Sequence, residues 1–170
     1  MTMRPMCLAI SLAATLAGHS AFADTLPEPT DPVILTITGA ITNTTSGGAA
    51  QFDLAALKAL GESEIVTETI WTSGVRTFTG VRLHKLLDHV GAEGETLSAY
   101  AINDYRVEIP VSDATQDGPI LAYAMDGAAM SRREKGPLWV IYPFSDSAEF
   151  RTEVIYARSI WQLDRIVVDE

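Results

Sequence analysis

The chain has 170 residues, with 12 Lys and Arg against 22 Asp and Glu, and a formal net charge of −10. Such acidity excludes the broad phosphate contacts on which nucleic-acid binding rests, and it works against anionic membrane surfaces. One cysteine and three histidines leave little material for thiolate or imidazole chemistry.

Residues 1–23 read MTMRPMCLAISLAATLAGHSAFA. Arg4 heads an apolar run, 7–16, that is too short to span a bilayer, and Ala21-Phe22-Ala23 is a small-x-small cleavage site. The pattern predicts a signal peptide over 1–23, cut before Asp24, and a periplasmic mature domain over 24–170 with no further membrane span. Cys7 stands at the start of the apolar run, not after it, which excludes a lipoprotein signal, and Arg4 alone does not make a twin-arginine signal. The 147 mature residues suit one domain, with 11 Lys and Arg against 22 acids and no thiol left for a disulfide or a metal.

In chain order, 24–32 (DTLPEPTDP) reads as an extended lead-in, and 33–38 (VILTIT) as a β-branched strand. A Gly/Thr/Ser loop over 39–48 leads to a short helix at 52–60, with Asp53 as N-cap and Gly61 as its stop. Residues 65–71 alternate as a strand, and Ser73-Gly74 turns into 75–78. A helix over 81–90 sets Leu83, Leu86, Leu87 and Val90 on one stripe and ends at Gly91. Strands follow at 97–102 and 105–109 around Asn103-Asp104, then one helical turn at 111–116. Strands 120–125 and 138–142 are joined across Asp126-Gly127 and the loop 131–136. A short helix falls within 149–161, and 166–169 closes as a strand. Short strands outnumber short helices, without repeats or a βαβ rhythm, so the fold class is α+β in a single compact mixed-sheet domain.

No GxSxG, HExxH, Walker or dinucleotide pattern is present. His84 and His89 lie five residues apart, which on a helix turns them roughly 140° from each other, so they do not form a metal pair. Asn103-Asp104-Tyr105 interrupts two apolar strands, Arg132, Arg133 and Lys135 crowd one loop, and Trp71 and Trp161 stand at segment ends where a ring can line a pocket. Each also has a plain structural reading: a hairpin turn, a solvated loop, core aromatics. Trp139, in the most apolar strand, is expected in the core.

Five stretches in order resemble the sulfite-oxidase-type molybdopterin-binding domain. They are Phe78-Thr79-Gly80-Val81 with 83–87, the Asn103-Asp104-Tyr105 turn, Leu121-Ala122-Tyr123 through Asp126-Gly127, Gly136-Pro137-Leu138 with Tyr142-Pro143, and Arg158-Ser159-Ile160-Trp161 with Asp164-Arg165-Ile166. The resemblance implies that family's mixed-sheet fold. Family enzymes hold molybdenum through a cysteine, which the mature chain lacks, and Trp161 stands where a phosphate-binding lysine is expected. This argues against a resident molybdenum cofactor and leaves the middle of the pocket, the part that meets the pterin ring.

The resemblance therefore implies a non-catalytic periplasmic binder of a free pterin, with no covalently bound cofactor. It extends to cysteine-less proteins that signal through a membrane-bound cyclic-di-GMP enzyme, whose periplasmic domain would be the partner. Asn103 or Asp104 would meet the ring edge. Trp71, Tyr105, Trp161, Arg133 and Arg158 would supply plates or donors, with Lys135 in the neighbouring basic loop. Two alternatives stay open: a molybdopterin-dependent oxidoreductase with a non-cysteine metal ligand, and a ligand-free scaffolding domain.

Overall fold

The computed structural model describes residues 25–45 and 47–170; the expected signal peptide lies outside the described residues. Among the described residues, ten strands join in one curled mixed sheet. Strand β1 (Leu35–Gly39) buries Leu35 and Ile37 and pairs in parallel with the last strand, β10 (Trp161–Asp169). At Gly39, with φ +95°, a Cβ would lie 2.1 Å from the Val168 carbonyl oxygen, so only glycine closes this parallel pair.

A three-residue strand, β2 (Ala50–Phe52), adds antiparallel to β1. Helix α1 (Leu54–Ala59) starts at Asp53, whose Oδ1 accepts from the Ala56 N–H at 2.7 Å. Its Oδ2 accepts from the N–H groups of Thr30 and Asp31, so the same carboxylate pins the proline-rich lead-in. These backbone donors hold the Asp53 carboxyl below its ordinary pKa.

Strands β3 (Glu62–Glu68) and β4 (Val75–Arg82) form a hairpin with seven residue pairs in register. Helix α2 (Leu83–Val90) buries the four apolar residues of its stripe and stops at Gly91, which is left-handed. Strands β5 (Thr96–Ala101) and β6 (Arg106–Pro110) form a second hairpin, docked through β5 on β10. Strand β7 (Ile120–Met125) bridges β4 to β9 (Leu138–Ile141), with β8 (Ala128–Ala129) at its end. Gly80 lets β4 and β7 approach, because a Cβ there would meet the Leu121 carbonyl oxygen at 2.2 Å. Helix α3 (Glu153–Arg158) is short and capped by Thr152, whose hydroxyl accepts from the Ile155 N–H.

Several boundaries differ from the sequence reading. The strand expected at 65–71 begins at Glu62 and ends at Glu68. The Thr69 hydroxyl pairs with that of Thr72 and accepts from the Trp71 N–H, which turns the chain early. The Phe-Thr-Gly-Val run belongs to β4, which carries on to Arg82, so the following helix starts at Leu83. The last strand covers nine residues rather than four. Its start is masked in the sequence because Gln162 has φ +54° and the register shifts between Leu163 and Arg165, which breaks the alternation. β2 went unread because three residues beside a Gly/Thr/Ser loop carry no period.

The core runs along the inner face of this sheet and under α2. Trp139 is fully buried, as expected, and its Nε1–H donates to the Ser159 carbonyl at 3.0 Å.

Candidate functional site

Three chain segments meet at the open end of the sheet. The β3–β4 turn brings Trp71, the β5–β6 turn brings Asn103 and Tyr105, and the run from α3 into β10 brings Tyr156, Ala157, Ser159, Ile160, Trp161 and Gln162. With Ala101 they line a cleft of about 430 Å³. That size lies within the usual range for small-molecule sites.

The cleft's back wall is aromatic. Trp71 meets Trp139, Trp161 and Tyr156 edge to face, with ring centroids 5.7, 5.8 and 5.7 Å apart. Trp161 faces Trp139 across the β9–β10 pair at 6.2 Å. Such tilted geometry suits the ring quadrupoles and fixes the positions of the half-exposed rings. The Lys135 ammonium stands 3.5 Å from the Trp161 ring centroid, a distance possible only over a ring face. Burial depresses the Lys135 pKa. Gln162 zips the loop to the cleft: its N–H donates to the Lys135 carbonyl at 3.0 Å and its Nε2 to the Arg132 carbonyl at 2.6 Å.

The β5–β6 turn is built by its own polar residues. Asn103 Oδ1 accepts from the Tyr105 N–H, and the Asp104 N–H donates to the Ala101 carbonyl. Asp104 sits at φ +65°, a conformation that aspartate tolerates. The turn leaves the Asn103 amide hydrogens without an acceptor among the described residues and Tyr105 more than half exposed on the cleft's flank.

Of the eight residues singled out from the sequence, Trp71, Asn103, Tyr105 and Trp161 line the cleft, and Lys135 packs on Trp161 from outside the lining. Asp104, Arg133 and Arg158 are not brought to it. The Asp104 carboxylate points away and accepts from Arg165 at 2.6 Å. Arg133 is exposed on the loop before the Gly136-Pro137 bond. Arg158 turns to the far side of α3, where it pairs with Asp113 at 2.9 Å. Asp113 also accepts from the buried Tyr142 hydroxyl at 2.7 Å, which completes a closed polar knot. Burial, then the Asp113 contact, raises the Tyr142 pKa.

Sequence reasoning missed Ala101, Tyr156, Ala157, Ser159, Ile160 and Gln162. Tyr156 carried a usable signal, an aromatic five residues before Trp161 within the closing segment. The small residues enter through backbone placement, for which single-sequence patterns hold no signal.

The lining can accept a flat heterocycle: it offers ring faces, amide groups and the hydroxyls of Tyr105, Tyr156 and Ser159. It does not fit the thiolate-held molybdenum of the family that the sequence resembles. No thiol, imidazole or carboxylate lines the cleft, and no cluster of three His, Cys, Asp or Glu side chains suited to a metal occurs among the described residues. His84 lies at the Thr115 carbonyl and His89 beside Phe52.

No curated protein gives a significant match to the sequence. Among solved structures, the chain is similar to the sulfane dehydrogenase SoxCD from Paracoccus pantotrophus, with a TM-score of 0.59 and 16% identity over 79% of this chain. It spans 37% of that chain's length, and the likeness establishes the fold. A profile of the family described as oxidoreductase molybdopterin binding domain matches residues 38–148. With that match over more than half of its length, and with its curled mixed sheet, the chain belongs to the oxidoreductase molybdopterin-binding domain family.

Proposed function

We propose that the protein is a non-catalytic binder of a free pterin-type heterocycle, held in the cleft between Trp71, Tyr105 and Trp161. One observation carries the reading: within a molybdopterin-binding fold, the cleft has aromatic walls and amide groups but, among the described residues, no soft metal donor in its lining. A pterin offers a flat π-face and a guanine-like edge of donors and acceptors. Stacking of such a ring on an aromatic wall contributes about 1–3 kcal/mol by analogy with bases. The Asn103 amide hydrogens serve an edge acceptor, while Asn103 Oδ1 has a second lone pair beyond the one used by Tyr105. In this reading the protein works in the periplasm and passes its occupancy to the periplasmic part of a membrane-bound cyclic-di-GMP enzyme. The absence of any helix long and apolar enough to cross a membrane among the described residues is compatible with that role.

The test is to titrate the purified mature protein with oxidised and tetrahydro-pterins, following tryptophan emission, and to measure metal content on the same sample. Saturable quenching without stoichiometric molybdenum is expected. All three tryptophans belong to one ring cluster, so a ligand on Trp71 or Trp161 must register. No quenching at millimolar ligand overturns the pterin reading, and molybdenum near one per chain overturns the non-catalytic one.

A further inference from the structure

We propose that the free edge of β3 is a docking strand for an extended, basic segment of a partner protein. β3 stands at the end of the strand order, with β4 as its one strand neighbour among the described residues. The hydrogen-bond pattern tells which of its backbone groups face outward. The Thr77 carbonyl accepts from the Asp126 N–H, and the Thr77 N–H donates to the Asp126 carboxylate, so both Thr77 groups face β7. Thr77 pairs in register with Val66. In an antiparallel ladder, Val66 then turns its own N–H and C=O away from β4, and so do Glu62, Glu64 and Glu68. Glu68 confirms the phase, because its N–H leaves the hairpin to donate to the Ser145 hydroxyl. Among the described residues, the outward backbone groups of Val66 and Glu64 have no partner at the edge, which is the template that strand addition uses.

The side chains specify the occupant. Glu62, Glu64, Val66 and Glu68 share the exposed face, and Val66 is 56% exposed. A second copy added about a twofold axis would set Glu62 against Glu68, or Glu64 against Glu64, and like charges directly opposite each other destabilise a sheet. The glutamates thus exclude self-pairing and match a strand with lysine or arginine at alternate positions and an apolar residue opposite Val66. β3 continues through Thr69 to Trp71 in the cleft, so edge and cleft share a short stretch of backbone. The partner half of the proposed function rests on this edge; the ligand half does not.

The probe is a fluorescent, end-blocked peptide, Lys-Thr-Val-Thr-Lys-Thr-Lys, with its lysines replaced by glutamates as the control. Anisotropy titration against the full mature chain should give saturable binding of the lysine peptide alone, weakening with salt. Glu64→Lys should weaken it about tenfold, since an attraction becomes a repulsion. Val66→Pro should abolish it while leaving the circular dichroism spectrum unchanged, because the lost N–H faces outward and lies outside the β3–β4 ladder. Failure of the lysine peptide to bind, equal binding of the glutamate peptide, or indifference to both substitutions overturns the proposal. A dimer in sedimentation that Val66→Pro dissolves assigns the edge to a second copy and overturns it too. If pterin quenching persists while the peptide fails, the docking edge alone is wrong; peptide binding without quenching sinks the ligand reading alone.

Discussion

The two sides of α3 make opposite use of similar material. On one side Asp113, Arg158 and Tyr142 bind one another until the carboxylate oxygen Oδ2 accepts two donors and the tyrosine is sealed under them. On the other side Trp71, Tyr105 and Trp161 keep part of their rings in contact with solvent, held in place by neighbours that do not cover them. Arg158 and Trp161 are three positions apart, yet one belongs to a structural knot and the other to a cleft. Residue type alone does not distinguish a binding group from a structural one. What distinguishes them is whether the protein has already satisfied them.

The largest effect should come from the fully buried ring behind the cleft. Trp139→Ala removes a fully buried indole and should cost about 3–5 kcal/mol, read as a lower midpoint in urea unfolding. A much smaller cost would mean that the wall behind the cleft can collapse, and the distinction between the two sides would weaken. Next comes Asp113→Ala, which leaves the Tyr142 hydroxyl buried without an acceptor and Arg158 unpaired. A loss of about 1–3 kcal/mol is expected, with pterin affinity unchanged in the remaining folded protein. Trp161→Ala should do the reverse. It should lower pterin affinity by roughly thirtyfold, the middle of the 1–3 kcal/mol stacking range, at a smaller stability cost than Trp139→Ala, because Trp161 is only half buried. Equal stability losses for Trp139 and Trp161 with no change in binding would erase the contrast.

The closed side should also be visible in alkali. Burial, then the Asp113 hydrogen bond, raises the Tyr142 pKa, while burial and Glu62 push Tyr123 up to about 12. The unfolded chain releases these protons near the ordinary value of 10.0. Above that value the native state binds more protons than the unfolded state, so stability falls as pH rises. The contribution is whole below about pH 10 and is lost as pH climbs through the folded values. Tyr142→Phe should flatten this alkaline fall in urea midpoints measured across the range; an unchanged slope would mean that Tyr142 is not sealed.

Much of the fold was legible because its signals were local. The α2 stripe, the Asp53 cap and the Gly91 stop each need only a few neighbouring residues, and each appears where the sequence puts it. The start of β10 was not legible, because a left-handed Gln162 and a register shift replace the alternation that marks a strand. The cleft was half legible. Trp71, Asn103, Tyr105 and Trp161 stood out as aromatic or turn residues beside segment ends, which is where loops carry side chains to an opening. The direction of Arg158 could not be read, since it depends on Asp113, 45 positions away in the chain.

Asp104 gives the finest test, because it lies within the same turn as two cleft residues but outside the cleft. Its carboxylate is largely exposed and pairs with Arg165, and an exposed pair of this kind contributes about 0–1 kcal/mol. Alanine would confound the result, since φ +65° strains a residue without a local polar side chain. Asp104→Asn keeps the left-handed preference and removes only the charge. If the cleft is defined by ring faces and by the Asn103 amide, this change should leave pterin quenching curves superimposable on those of the native chain and shift stability by less than about 0.5 kcal/mol. A clear loss of affinity would show that the Asp104 carboxylate leaves Arg165 to meet the ligand edge, and that the turn closes on binding.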